Sequence, residues 1–310
     1  MNIIFFGSDD FALVNLERLA RSSFSVAACV TQPDKPKGRG MKVASSPIKE
    51  FALKNKIPLL LPADLREISF INALKEIQAD LFVVIAYGKI LPAEILNIPK
   101  IFCINVHGSL LPKYRGAAPI NWAIIHGDRT TGVTVIKMNE MMDAGEIVSQ
   151  QTIPIEEQDT AVTLRAKMAQ TSTELLLKTI QSIAEKKFQL TKQDLTSVSH
   201  APRLSKELGV IKWKDKADTI HNLVRGLLPW PAAYTYFNGK RLKILETHLT
   251  VLPSGKFAPG EILEIKKEGF LVAAADKALL IKQVHLEDSK PMDAHSFAIG
   301  YRLTPGTALG

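Results

Sequence analysis

A chain of 310 residues with 46% hydrophobic and 23% charged side chains has the composition of a globular protein of about two domains, which excludes disordered, collagen-like and coiled-coil architectures. Its two cysteines exclude a disulfide scaffold and a cysteine-only zinc cluster. A net charge of +8 says little by itself and points to a polyanionic partner only where the basic residues cluster.

The start, MNIIFFGSDD, has no basic segment and turns acidic at Asp9. The longest apolar run, LFVVIA at 81–86, is far too short to span a bilayer. A cytoplasmic protein with no leader, anchor or membrane partner is expected. Residues 2–6 (NIIFF) read as a buried strand ending at Gly7. Ser8 and Asp9 then offer a cap to a helix carrying Phe11, Leu13, Leu16 and Leu19. Residues 25–31 (SVAACVT) read as a second strand. Cys29 there, and Cys103 further on, are read as buried strand residues of a reducing compartment.

Residues 32–46 carry two prolines and two glycines and no apolar period, so a long loop is expected. Connections in alternating strand–helix units usually run ~2–6 residues, which marks this one as functional or disordered. It holds Lys35, Lys37, Arg39 and Lys42, with Lys49 just beyond and Asp34 as the one acid.

Pro47 opens a helix to about 56, and 58–61 is a short strand. A helix at 69–78 precedes a central strand at 80–86 and another at 101–107 (IFCINVH). A loop follows to Gly116, then a helix at about 118–126 and strands at 131–138 and 146–155. Asp159 is read as the cap of a long helix reaching about 186. This alternation predicts an α/β domain, a Rossmann-like, mostly parallel sheet with helices on both faces, over residues 1–190.

Residues 191–205 are polar and irregular and read as a linker. Residues 206–310 give one helix and several short strands, with Asn238-Gly239 and Glu268-Gly269 as hairpin turns. A C-terminal OB-like β-barrel domain is expected. Trp213, Trp230 and Tyr234 are read as its core. Between 203 and 243 stand nine basic residues: Arg203, Lys206, Lys212, Lys214, Lys216, Arg225, Lys240, Arg241 and Lys243. Two separated basic stretches suggest one large polyanion touching both.

Three chemistries lack their motif. The first strand ends in GSDDF, where a dinucleotide fold wants G-x-G-x-x-G. No G-x-x-x-x-G-K-[ST] loop and no G-x-S-x-G elbow occurs. What remains is polar residues at strand ends. Asn105 and His107 are two apart on one strand, so their side chains share a face at the end where open α/β sheets bind ligands. Asp143 lies in another loop before Ala144-Gly145. Taken singly, a strand-end histidine is more often a hydrogen-bonded structural residue, and an aspartate before glycine a turn residue. One His, one Asp and no second imidazole make a poor metal site, so no metal is expected.

The next block, SLLPKYRGAAP at 109–119, is a loop punctuated by Pro112, Gly116 and Pro119. INVHGSLLPKYRGAAP as a whole resembles the signature of the folate-dependent formyltransferases. The resemblance extends over nearly the whole chain through TQPDKPKGRG (31–40), AYGKILP (86–92), MDAGEI (142–147), HAPRLSKE (200–207) and PWPAAYT (229–235). One departure is visible, GSDDF where the family usually has Gly-Thr-Pro-Asp-Phe.

The resemblance implies that Asn105, His107 and Asp143 are the catalytic trio. It implies 10-formyltetrahydrofolate as co-substrate. The pterin would be held by backbone around Ile90, Leu91 and Met142, with Ser109, Leu110, Leu111 and Pro112 along one wall. The flanking basic blocks match the branch whose acceptor is the α-amino group of methionine on charged initiator tRNA. Lys35, Lys37, Arg39, Lys42, Arg203, Lys206, Lys212 and Lys214 are the candidate contacts to that tRNA. The loop at 32–46 is expected to order against the acceptor stem, with Arg39 near the first base pairs. A monomer is expected. The competing reading is the same transfer onto an amino sugar or another small amine.

Overall fold

The computed structural model describes residues 1–37 and 42–310. Arg39 therefore lies outside the described residues, as does the expectation about its loop. By contact the chain divides into two compact units, one of residues 1–119, 131–154 and 165–201, the other of 120–130, 155–164 and 202–310.

In chain order the elements up to residue 201 begin with β1 (Asn2–Gly7), α1 (Asp10–Ala20) and β2 (Ser25–Val30). The expected long loop carries two three-residue strands, β3 (Lys35–Lys37) and β4 (Lys42–Ala44), paired antiparallel. Strands this short leave no readable alternation in sequence. Next come α2 (Pro47–Lys54), β5 (Leu59–Leu60), α3 (Ile68–Glu76), β6 (Leu81–Ile85), a one-turn α4 (Ala93–Leu96) and β7 (Phe102–His107). They are followed by β8 (Arg115–Gly116), α5 (Pro119–Ile125), β9 (Thr130–Lys137), β10 (Ile147–Pro154), α6 (Ala161–Ala184) and β11 (His200–Ala201).

The first unit is built on a seven-stranded sheet in the order β10-β9-β7-β6-β1-β2-β5. The pairs β1/β2, β1/β6, β6/β7 and β2/β5 are parallel and β7/β9 is antiparallel. Residues 3–7 of β1 and all of β6 are buried, because parallel strands are covered on both faces. One core beside the sheet gathers Ile4, Phe6, Phe70, Leu74, Phe82, Val84, Tyr87 and Ile95. Cys29 and Cys103 lie inside, where burial pushes both thiols up to about 12 and keeps them unreactive.

The chain order turns about β1: β2 and β5 lie on one side of it and β6, β7 and β9 on the other. Such a switch point opens a crevice at the carboxyl ends of the strands. The loops after β1, β6 and β7 all leave from that edge.

Two caps show how helices start. Asp9 is the N-cap of α1, accepting from Ala12 N at 3.1 Å, and its other oxygen pairs with Arg165 of α6. The Arg165 guanidinium also lies 5.2 Å from the Phe11 ring centroid. The departure from the family pattern at residue 9 thus has a compensation, since the carboxylate makes contacts a proline cannot. Asp9→Ala is expected to lower stability by about 1 kcal/mol, the usual worth of such a cap. An unchanged urea midpoint would remove the cap from the account. For α6 the expected cap is corrected. Thr160 Oγ1 accepts from Thr163 N at 3.2 Å, whereas Asp159 turns back to accept from Glu156 N and Thr163 Oγ1.

The second unit adds α7 (Ala217–Gly226), β12 (Ala233–Phe237), β13 (Lys240–Thr250), β14 (Ile262–Lys266), β15 (Gly269–Ala273), β16 (Ala278–Leu286), β17 (Met292–Asp293) and α8 (Ala294–Gly300). Its antiparallel sheet runs β12-β13-β16-β15-β14, with β17 on β16. Asn238 and Gly239 both have positive φ, as the tight turn between β12 and β13 demands. Trp213 and Tyr234 are buried, and Trp213 Nε1 donates to Thr235 Oγ1 at 3.1 Å. Trp230 departs from expectation and is half exposed. It stands between Pro229 and Pro231 outside any strand, so no sheet face carries it inward.

Arg225 is not a free surface cation. It is anchored on Asn222 Oδ1 and on the carbonyls of Glu156 and Asp159. His221 beside it is buried, with Nδ1 on Thr247 Oγ1 at 2.8 Å. Burial first, and Arg225 second, hold its pKa below the usual histidine value. A depressed histidine pKa gives stability that is present above about pH 6.5, the unfolded value, and fades as pH falls below it. Thermal melts from pH 7.5 to 5.5 should show a decline that His221→Gln reduces; parallel curves would exclude the residue.

Candidate active site

Three loops meet the open end of the sheet, and hydrogen bonds inside the first unit fix each of them. At the switch point, Ser8 Oγ donates to the Tyr87 carbonyl at 3.1 Å and Gln32 Nε2 donates to the same oxygen at 2.7 Å. Lys89 Nζ reaches the Ala63 carbonyl at 2.8 Å. The segment 86–92 is thereby tied down beside the end of β7, because Val84 pairs with Asn105.

The loop after β7 is held by Thr134 of β9. Its Oγ1 donates to the Ser109 carbonyl at 2.6 Å and accepts from Leu111 N at 3.1 Å and Gln150 Nε2 at 2.9 Å. Gln150 also donates to the Leu111 carbonyl at 2.8 Å. Ser109 is fully buried, with Oγ on the Lys113 carbonyl at 2.6 Å. Its hydroxyl shapes the turn and is not presented outward.

On this frame the structure brings Asn105, His107 and Asp143 together. His107 Nδ1 lies 3.5 Å from Asp143 Oδ1, and Asn105 Nδ2 points to the same oxygen at 3.4 Å. The other oxygen, Oδ2, accepts from Gly116 N at 2.9 Å. On the far side of the ring, His107 Nε2 is 2.9 Å from the Tyr114 carbonyl. A carbonyl can only accept, so Nε2 carries a proton and Nδ1 is the nitrogen turned to the carboxylate. His107 is 6% exposed and the Asp143 side chain 13%, so this charge lies in a site largely closed to water.

Backbone strain gathers at the same place. Asp143 (φ 51°), Tyr114 (φ 62°) and Ala86 (φ 46°) all lie in the left-handed region, which costs of order 1–3 kcal/mol each and persists only where surroundings impose it.

The candidate folate residues divide by exposure. Ile90 and Met142 are exposed, as is the adjoining Met141. Leu110 and Pro112 are half-buried, and Leu91 and Leu111 are buried, with the main chain of Leu111 engaged by Thr134 and Gln150. Of the basic candidates, Arg203, Lys206, Lys212 and Lys214 belong to the second unit and are exposed. The strand backbones of Lys35, Lys37 and Lys42 are in the β3–β4 hairpin. Among the described residues no group of three or more His, Cys, Asp or Glu could hold a metal ion, and no helix is long and apolar enough to cross a membrane.

Sequence reading did not find Gln193. It is buried, with Nε2 donating to the carbonyls of Asp143 and Gly145 at 2.8 Å each. Its Oε1 accepts from Arg115 Nε at 3.0 Å and Nη2 at 2.7 Å. Of the segment 191–205 read from composition as linker, residues 191–201 belong to the first unit and are bonded to it. Thr191 and Ile147 exchange two backbone bonds, and Ser199 accepts from Tyr114 N and Arg115 N. β11 then pairs with β8. A polar irregular stretch carries no period, so only the contacts reveal this.

Residues 1–180 match the formyl transferase family, and residues 203–302 match the formyl transferase C-terminal domain. A methionyl-tRNA formyltransferase of Acetivibrio thermocellus is 44% identical over 310 residues, covering 100% of both chains. One of Clostridioides difficile is 42% identical, again over 100% of both. Among solved structures, an N-formyltransferase from Helicobacter canadensis in complex with folinic acid and dTDP-3-aminofucose has a TM-score of 0.69 at 23% identity, over 91% of this chain and 99% of that one. HypX from Aquifex aeolicus in complex with tetrahydrofolic acid has a TM-score of 0.63 at 18% identity, over 97% of this chain and 47% of that one. At these identities the structural likeness speaks for the fold alone.

Proposed function

The chain belongs to the formyl transferase family, and on that premise we propose that it transfers the formyl group of 10-formyltetrahydrofolate to the α-amino group of methionine on charged initiator tRNA. The observation that carries the acceptor is the full-length identity of 42–44% to methionyl-tRNA formyltransferases, through both domains. The product is N-formylmethionyl-tRNA. We take the acting species to be a cytoplasmic monomer, which light scattering at assay concentration checks.

The chemistry asks three things of the protein. The attacking amine must be neutral, the carbonyl oxygen must be stabilised as it gains negative charge, and a proton must travel from the amine to the departing N10 of the folate. Asn105 Nδ2 is held loosely, at 3.4 Å from Asp143, so its N–H is free to turn to the developing oxyanion. His107 is fixed in one tautomer by the Tyr114 carbonyl, which leaves Nδ1 as the proton acceptor. A proton taken up there sits beside the Asp143 carboxylate, which balances the imidazolium and lets the proton be returned. Asp143 keeps that position because Gly116 N donates to its second oxygen. The folate is assigned to the edge of the sheet formed by main chain at 90–91 and 109–112 with the exposed Ile90 and Met142.

The test is direct. The purified chain should form N-formylmethionyl-tRNA from 10-formyltetrahydrofolate and charged initiator tRNA, and should leave a nucleotide-linked amino sugar unformylated. Turnover with the amino sugar alone would replace this acceptor by the competing one.

For the tRNA we assign phosphate contacts to Lys212 and Lys214, exposed side chains flanking buried Trp213. Removing both should weaken tRNA binding and lower the slope of log K against log salt by about 1.4 to 1.8, the share of two phosphates. Folate affinity should not change. An unaltered slope in a filter-binding titration would place the tRNA elsewhere.

A further inference from the structure

We propose that Gln193 is a positioning residue for Asp143, so that the segment 191–201 sets the carboxylate that the reaction uses. The inference rests on the catalytic reading of Asp143 given above.

The orientation of the Gln193 amide is determined by its partners. The Arg115 guanidinium can only donate, so the side-chain oxygen faces it, at 3.0 and 2.7 Å. The carbonyls of Asp143 and Gly145 can only accept, so the nitrogen faces them, at 2.8 Å each. All four bonds are made by a side chain that is 9% exposed. They span the turn that carries Asp143, whose φ of 51° lies in the left-handed region.

The same segment holds Asp143 from its other side. Gly116 N donates to Asp143 Oδ2 at 2.9 Å. Gly116 is in turn fixed by pairing with Ala201, whose carbonyl accepts from Ala117 N at 2.8 Å. Main chain behind the carboxylate is therefore fixed by Gln193, and the donor in front of it by Ala201. Only the contacts to Asn105 and His107 come from the sheet itself. Within the loop itself Met141 N donates to Asn139 Oδ1 at 3.0 Å and Ala144 N to Met141 O at 3.4 Å, and at its ends Met138 N bonds to the Cys103 carbonyl and Lys137 N to the Glu146 carbonyl; these bonds are to residues other than Asp143.

Two substitutions separate positioning from space-filling. Gln193→Met keeps the volume and loses all four bonds. Gln193→Glu keeps the oxygen toward Arg115 but turns a second oxygen on two carbonyls, which repel it while it is ionised. The Arg115 guanidinium, 2.7 and 3.0 Å from that oxygen, favours the charged form, so the repulsion of the two carbonyls persists.

In the full-length protein, Gln193→Met is expected to lose at least about tenfold in kcat at every pH while its folate dissociation constant stays within about threefold of wild type. Gln193→Glu should lose a similar factor in kcat, because it keeps the Arg115 contact and repels the two carbonyls. Hydrogen exchange at the Gly116 amide, measured without substrate, should speed up in Gln193→Met. Wild-type kcat in Gln193→Met, an unchanged Gly116 exchange rate, or folate affinity lost in step with kcat would each overturn the proposal. So would a Gln193→Glu protein with wild-type kcat. Should the wild-type chain fail to formylate methionyl-tRNA, the acceptor reading falls, and the Gly116 exchange rates still decide the positioning claim.

Discussion

Asp143→Asn is expected to reduce kcat by two orders of magnitude or more while leaving the fold and folate binding in place. The amide is nearly isosteric. Its oxygen can still accept from Gly116 N, now 2.9 Å from Asp143 Oδ2, and its nitrogen can donate to His107 Nδ1, now 3.5 Å from Oδ1. The contacts to Gly116 and His107 therefore stay hydrogen-bonded while Asn105 Nδ2 loses its acceptor, the ring nitrogen that should take the amine proton is engaged as an acceptor, and no carboxylate balances an imidazolium. General acid–base groups contribute typically 10²–10⁴-fold, which sets the scale. His107→Ala should fall in the same range, because it removes the same proton path from the other end. The measurement is kcat at saturating 10-formyltetrahydrofolate and charged initiator tRNA, beside a direct folate titration. Near-wild-type kcat in either variant would take that residue out of the mechanism.

Gly116→Ala is expected to damage the site with a single added methyl. Gly116 has φ of 124°, a conformation L side chains rarely adopt, and an added Cβ would meet the Ala201 carbonyl oxygen at 2.6 Å. That neighbour is main chain and cannot swing away as a flexible side chain could. Either β11 separates from β8 or Gly116 rotates, and both outcomes withdraw the N–H from Asp143 Oδ2. A loss of at least about tenfold in kcat, equal to about 1.4 kcal/mol of barrier, should accompany a lowered melting temperature. A variant with wild-type kcat would show that the Gly116 donor is dispensable. By contrast Gly239→Ala, at a turn where an added Cβ meets nothing within 4 Å, should cost stability through its φ of 75° and leave kcat alone.

Much of this was legible before any coordinates. The apolar runs at 2–6, 25–31, 80–86 and 101–107 specified β1, β2, β6 and β7 because a buried parallel strand must be apolar on both faces. The spacing of Asn105 and His107 placed both on one face at a strand end, and the SLLPKYRGAAP block identified the family. Trp230 shows where such reading stops. A tryptophan in an apolar context reads as core, yet flanking prolines left it outside any strand and half exposed.

The sequence by itself determined the order and type of the main elements, the chemistry available at the end of β7 and the family to which the chain belongs. Local pattern suffices for these, since strand period, caps and a contiguous motif are all written within a few neighbouring residues. The tertiary structure alone decided what Asp143 touches, which nitrogen of His107 faces it, and that Gln193 bonds to the carbonyls of Asp143 and Gly145. Asp143 lies 38 positions from Asn105, and Gln193 lies 50 from Asp143 and 78 from Arg115. Contacts at such separations depend on which strands become neighbours in the sheet. A polar segment with no period of its own carries no local sign of the carbonyls and the guanidinium it will meet.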